Sequence, residues 1–558
     1  MAYLIQTFLF ITVVWVARWL WLLVSGRRIL SNIPGPHSPS FVTGNMREVF
    51  SPTAWDYHMQ LVEKYEGGVI RIDGLFGEKQ LYVFDPKALH QILVKDQDIF
   101  EEPEYVIRGT RVSFGEGLLS TLGEQHKKQR KMLNPVFSTA HLRQMVPLFF
   151  DVGKRLQAAL ESRVQKGAQE VRRTILGGSE NLHDARQIDL LTWMTRTALE
   201  LVGQAGIGYS FDPLVTDEVP EYILSAKRMQ TTMHKMYLAA RYILPKVARI
   251  GPPKFRRFIV GIIPWKTLHE GRDIVDTMYG TAVHLYNIKK AALDAGDEAV
   301  SAQIARGKDI ISVLMKENSN ASSADRLSED EIIAQACIYP YRASLNATSS
   351  ALARTLHVLA ERPDVQEKLR QEIRSAQKEG TDLSYNDLES LEYLDAICRE
   401  TLRLSMLIAS SFIRSRKDAV LTTSVPIATL DGSTTTTIPV PAQTGFFLSI
   451  LSANRNPAVW GPDALEWKPE RWLSPLPQSV LDAKIPGIYA HLLTFIGGGR
   501  ACIGFKFSQL EMKVVLCLLV ERFKFSLSDK DITWSMGSIA VPSADGKHQL
   551  PLKVELAL

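Results

Sequence analysis

Of the four cysteines in the chain, Cys337, Cys398, Cys502 and Cys517, one stands in a setting that could do chemistry. Cys502 lies in the run Phe495-Ile496-Gly497-Gly498-Gly499-Arg500-Ala501-Cys502-Ile503-Gly504, just before an apolar-periodic stretch, Phe505 to Val520, that reads as a helix. A cysteine at a helix N-terminus has its thiolate favoured by the positive end of the macrodipole and by donated N–H groups. Glycines let backbone approach a flat ligand closely. Such a thiolate can serve as an axial ligand to haem iron, pushing electron density toward O–O cleavage. The cysteines form no CxxC pair, no close Cys/His cluster of the kind that holds zinc or an iron–sulfur cluster, and no disulfide framework. Sparse thiols in so long a chain read as a reducing compartment.

The elements that must carry this loop are mainly helical up to about residue 380. Ser328-Glu329-Asp330-Glu331 has the form of a capping box and opens a long helix that runs to Glu361, before Pro363. Residues 419 to 450 carry Thr/Val/Ile-rich runs punctuated by Gly and Pro, which predict short strands. Glu400 and Arg403 stand at i,i+3, a pair worth a few tenths of a kcal/mol on an exposed helix. No internal repeat is present.

The cysteine loop resembles the cytochrome P450 family, whose haem-binding signature F-x-x-G-x-R-x-C-x-G is met at Phe495, Gly498, Arg500, Cys502 and Gly504. Glu400-Thr401-Leu402-Arg403 matches the family's E-x-x-R, and Pro469-Glu470-Arg471-Trp472 its P-E-R-[FW] segment. The resemblance spans effectively the whole chain and is closest to fungal microsomal members from about residue 330 to 525. It implies a mainly α fold with small β-sheets, in one catalytic domain, around haem b with Cys502 as axial ligand. It also implies that Glu400, Arg403 and Arg471 form a buried network under the cysteine loop. In Gly123 to Arg130 it sees the helix that usually carries W-x-x-x-R, with His126 in the tryptophan's place. His126, Arg130 and Arg500 would then meet the haem propionates.

Departures from the family are equally specific. The window over the haem, [AG]-G-x-[DE]-T-[TS] in the family, falls on Ala343-Ser344-Leu345-Asn346-Ala347-Thr348, so the acid has become Asn346 and the alcohol Ala347. Those two groups help deliver protons during dioxygen activation in the family. An amide does not ionise near neutral pH, and alanine has no hydroxyl. Thr348 is ~100° further round the helix. Just upstream, Pro340 would remove one helical hydrogen bond and kink the roof of the pocket, and Arg342 is either paired internally or aimed at a substrate carboxylate.

Ala2 to Val24 is almost entirely apolar, which gives ~34 Å of helix against a bilayer core of ~30 Å. Arg18 would snorkel, and Arg27 and Arg28 follow, so the positive-inside rule places the remainder in the cytosol. The expected organisation is a membrane anchor and basic flank (1–28), a proline-rich hinge (29–50) containing Ile33-Pro34-Gly35-Pro36, and the haem-thiolate catalytic domain (51–558). The location implied is the endoplasmic reticulum membrane, single-pass. Phe258 to Trp265, an apolar patch after Lys254, Arg256 and Arg257, is either core or a second membrane contact. At 558 residues, 46% hydrophobic, with a formal net charge of +5 and no Lys/Arg run, nothing in the composition suggests nucleic-acid binding.

Three functions are compatible with these residues. The first is a monooxygenase that takes electrons from an NADPH-dependent cytochrome P450 reductase and oxidises a lipophilic small molecule, such as a fungal terpenoid or polyketide secondary metabolite. Lys127, Lys128, Lys131 and Lys506, on segments expected on the cysteine side, would meet an acidic reductase. The second is a reductase-independent isomerase or lyase acting on an already oxygenated substrate, for which the proton relay is unnecessary. The third is a non-catalytic haem binder.

Overall fold

The computed structural model describes residues 29–176, 187–216, 221–296, 298–299, 308–339, 347–377, 380–404, 410–537 and 539–557. The expected anchor (1–28), the window residues Ala343 to Asn346, and Pro340 and Arg342 just upstream of the window lie outside these. Among the described residues no helix is long and apolar enough to cross a membrane.

Helices form most of the body, as expected. Phe505–Arg522, the helix after the cysteine, is buried along nearly its whole length, with Leu510, Met512, Val514, Leu516 and Leu519 all inaccessible or nearly so. A helix that is apolar all round must be surrounded, and this one packs between Thr139–Leu176 and Pro363–Ala376. Phe149 meets Phe507 edge-on at 4.9 Å. The capping box forms: Glu331 N–H donates to Ser328 Oγ at 3.2 Å and Ser328 N–H to Glu331 Oε2 at 2.9 Å. It starts helix Glu329–Tyr339, and Ser349–Glu361 follows in line of sequence before Pro363.

The sheets are small. One has the order Val69–Asp73, Lys79–Val83, Gly445–Ser449, Ser410–Ser415, Phe100–Glu101 and is antiparallel except where Lys79–Val83 meets Gly445–Ser449. Ala419–Ala428 pairs with Thr434–Val440 across a register shift between Thr422 and Ile427, within the strand region read from sequence. The expectation of helix up to about residue 380 is corrected at Val69–Asp73 and Lys79–Val83, whose partner strand starts some 360 residues later. A third sheet joins Gln187–Asp189, Pro551–Leu556 and Phe523–Leu527, and Leu190 N–H continues the seam to Leu550 O at 2.9 Å.

The proline-rich segment lies on this body. Arg71 N–H donates to Pro34 O at 2.8 Å, and a Cβ on Gly35 would fall 1.9 Å from Arg71 O, so only glycine fits there. On another face, helices Tyr237–Tyr242, Leu244–Val247 and Pro253–Ile262 bury none of their residues. Phe258 is 63% and Ile262 61% exposed, which removes the core reading of the patch.

Candidate active site

The cysteine loop is held by backbone contacts that leave no room for side chains. Gly498 has φ +67°, where an L side chain is strained, and a Cβ on it would fall 1.8 Å from the Leu93 carbonyl oxygen. A Cβ on Gly497 would fall 1.8 Å from Pro486 O. The glycines read from sequence as making room for a flat ligand are therefore already required by close approach of protein backbone. Cys502 N–H donates to Phe495 O at 2.9 Å and Gly499 N–H to Gln97 Oε1 at 2.8 Å, which fixes both ends of the turn.

Cys502 is accessible, whereas Cys337, Cys398 and Cys517 are buried. Protein nevertheless encloses the Cys502 thiol closely enough for burial to push its pKa up, while the Gly504 N–H and the Arg130 guanidinium pull it down. Burial alone pushes the Cys337 thiol up to about 12.

Three basic side chains converge beside the loop. Arg130 Nη1 donates to Ala501 O at 2.6 Å. Arg500 donates to Glu102 Oε2 from Nε at 3.0 Å and Nη2 at 2.8 Å, and to Leu118 O from Nη1 at 3.2 Å. His126 is buried, and that burial, with the charges of Arg500 and Arg130, pulls its pKa down to about 3. The imidazole is thus neutral at pH 7 and presents one N–H and one acceptor. Arg500 is answered by the Glu102 carboxylate, and both guanidinium groups and the His126 imidazole lie beside the loop that carries the accessible thiol. That donor set fits a haem, with carboxylates for the cations and iron for the sulfur.

The Glu–Arg–Arg residues come together in the interior. Arg403 donates to Glu400 from Nε at 2.9 Å and Nη2 at 2.7 Å, and from Nη1 to Ala464 O at 2.6 Å and Asn454 O at 3.1 Å. Arg471 Nε reaches Glu400 Oε1 at 3.4 Å, and its Nη1 reaches Asp463 Oδ1 at 2.8 Å. Trp472 Nε1 (3.0 Å) and the Lys468 N–H (3.1 Å) complete the shell around Glu400. Glu400 and Arg403 are inaccessible to solvent, and the Arg403 guanidinium lies 5.2 Å over the Trp460 ring.

Of the window over the haem, Ala347 and Thr348 are described and Asn346 is not. Both described residues lie in a π-turn that leads into helix Ser349–Glu361, with Ala347 packed on the core. Thr348 is buried, its Oγ1 3.2 Å from Ser508 Oγ on the cysteine helix. The hydroxyl that follows the missing alcohol is therefore engaged with another helix. Among the lysines, Lys127 and Lys131 pair with Glu124 at 2.7 Å and Asp325 at 3.0 Å, and Lys506 Nζ donates to Thr139 Oγ1 at 3.0 Å.

Sequence reasoning missed Glu102, Asp463, Ser508 and Glu511, and it named Trp472 in the P-E-R-[FW] match without foreseeing its bond to Glu400. Asp463 and the role of Trp472 could have been found from their closeness to Arg471 in the chain. Glu102 carried no signal, since it lies 398 positions from Arg500. Glu511 is inaccessible, neither of its carboxyl oxygens has a hydrogen-bond partner among the described residues, and burial raises its pKa well above the usual carboxylate range.

Comparison with known proteins agrees with this geometry. The cytochrome P450 family profile matches residues 34–550. Cytochrome P450 monooxygenase 91 of Postia placenta is 47% identical over 545 residues, covering 97% of each chain. A ganoderic acid synthetase of Ganoderma lucidum is 39% identical over 529 residues, 94% of this chain and 93% of its own. The monooxygenase eriI of Hericium erinaceus is 36% identical over 541 residues, 95% and 94% respectively. With one family matching nearly the whole chain around an accessible cysteine, the chain belongs to the cytochrome P450 monooxygenase family.

Proposed function

We propose that this protein is a haem-thiolate monooxygenase that oxidises a lipophilic small molecule with dioxygen and with electrons from an NADPH-dependent reductase. The observation that carries the reading is the enclosed but accessible Cys502 with Gly504 N–H and Arg130 directed at it. Bound haem supplies the redox centre for dioxygen activation. Cys502 would hold its iron, and His126, Arg130 and Arg500 would hold its propionates, with Arg500 shared between haem and Glu102. Glu400, Arg403 and Arg471 brace the floor. Likeness to a ganoderic acid synthetase supports a fungal secondary metabolite, terpenoid or polyketide, as the substrate class.

Proton delivery is the part in which this chain's own residues differ from the family. Ala347 has no hydroxyl, and Thr348 shares its own with Ser508. Water or a substrate hydroxyl must then carry the proton. Residues 1–28 and the exposed surface around Phe258 and Ile262 support attachment to the endoplasmic reticulum membrane with the catalytic domain in the cytosol.

The missing relay also favours a second reading, rearrangement of a pre-oxygenated substrate without reductase. Compounds that shift the haem spectrum of the purified protein should be incubated with and without NADPH, reductase and dioxygen. Strict dependence on all three supports the monooxygenase. Product from a hydroperoxide with reductase omitted would establish the isomerase or lyase instead. Restoring the family pair with Asn346→Asp and Ala347→Thr should raise product formed per NADPH, except with a substrate that brings its own hydroxyl.

A further inference from the structure

A cavity of about 210 Å³ shares no lining residue with the site around Cys502. It lies between helix Trp55–Lys64, the end of helix Glu392–Leu404, Arg354 and the segment 465–467, with Arg455 in its wall. The Trp55 and Trp467 N–H groups are spent elsewhere, on Trp534 O at 2.8 Å and Thr401 Oγ1 at 3.1 Å. The cavity is thus apolar in its walls and cationic in two places.

Arg455 Nε donates to Leu404 O at 3.0 Å, Nη2 turns to the same oxygen, and the guanidinium lies 5.0 Å over the Trp55 ring. Burial pulls its pKa down to about 9, and the two charges that add to this, Arg403 and Arg354, have its own sign. Arg403 is already bound by Glu400. Arg354 lies 5.0 Å over Trp534, with Nη1 3.1 Å from His357 Nδ1, and Glu361 partly offsets its charge. One carboxylate, Asp56, also lines the cavity, but it is exposed to solvent at the mouth, where its field is screened.

Among the described residues no carboxylate pairs with Arg455, and a partly buried guanidinium gains from an anion that neutralises it. Guanidinium forks match phosphate oxygens in a planar, two-point geometry. A phosphate monoester carries about −1.5 to −2 charge at pH 7, more than a carboxylate offers to the arginines that line this cavity. The volume of about 210 Å³ leaves room for a phosphate group.

We propose that this cavity binds a phosphate oxoanion between Arg455 and Arg354, either free phosphate or the phosphate of a lipid headgroup. The test is thermal unfolding of the full-length, haem-loaded protein in inorganic phosphate against chloride at equal ionic strength, with a parallel series in soluble short-chain phosphatidic acid against the matching phosphatidylcholine. A ligand that binds only the native state raises the midpoint as its concentration rises. The midpoint should climb with one or both phosphate probes, inorganic phosphate indicating the free ion and phosphatidic acid alone indicating a headgroup. Arg354→Gln should lose that climb. Leu465→Trp, which fills the cavity from a position 51% exposed and leaves both arginines in place, should lose it too, and so covers the case in which Arg354→Gln does not fold. No climb with either probe, or an unchanged climb in Leu465→Trp, overturns the proposal.

Discussion

Replacing Cys502 with alanine removes the one accessible thiol of the four. The reduced carbon monoxide complex of that variant should lack the long-wavelength Soret band of a thiolate-ligated haem, while alanine at Cys337, Cys398 or Cys517 should leave the band in place. A thiolate band surviving in Cys502→Ala would end the assignment. Glu511 leads to a pH prediction of definite sign. Its carboxyl is held protonated by burial, so unfolding above the ordinary carboxylate pKa releases a proton. Stability is therefore full below about pH 4 and falls as pH rises, by about 1.4 kcal/mol per pH unit while the native carboxyl keeps its proton. Glu511→Gln should match the parent near pH 4 and gain on it as pH rises above that, read from denaturant midpoints. Cys502 was legible in the sequence because everything that defines it lies within ten residues. An acid in an apolar helix is visible too, but whether it finds a partner depends on helices far off in the chain, and sequence does not carry that.

At the scale of elements, the same division between local and distant partners decides what could be read. The capping box at Ser328 and the strands after residue 419 are set by neighbours, and they formed where the pattern placed them. Val-Ile-Arg-Ile-Asp and Lys-Gln-Leu-Tyr-Val are too short to declare themselves, and become strands by pairing with each other and with Gly445–Ser449. Glu400 ties its own helix to the short turn Pro469–Trp472, accepting from Arg403, Arg471, Trp472 and the Lys468 backbone. Glu400→Gln should cost about 3–5 kcal/mol by leaving the buried Arg403 unmatched, Arg471→Ala should cost less because Arg403 still pairs with Glu400, and the purified Glu400→Gln variant should hold less than the parent's haem. Trp472→Phe removes a single hydrogen bond to a charged group and should cost about 1.5–3 kcal/mol. If Glu400→Gln unfolds at the parent's denaturant midpoint, the network does not brace the fold.

For the whole molecule, the surface formed by Tyr237–Tyr242, Leu244–Val247 and Pro253–Ile262 gathers exposed Leu238, Ile243, Ile250, Phe258 and Ile262 beside Lys254, Arg256 and Arg257. A chain lacking residues 1–28 should still float with anionic vesicles, weakly in high salt because each basic residue near such a surface contributes about 1 kcal/mol. Phe258→Asp combined with Ile262→Asp should release it. Full solubility of the parent truncation at low and high salt would remove this contact. The three-stranded sheet bears on how the molecule is made. Strand Gln187–Asp189 has its partner at Pro551–Leu556, and at roughly 5–20 residues per second the ribosome needs about 20–70 s to supply it. Through that interval strand Gln187–Asp189 waits with an unpaired edge, and Cys502 emerges only near the end of it. A cofactor held through Cys502 is therefore captured late in synthesis, and a nascent polypeptide stalled before Cys502 should be unable to take it up.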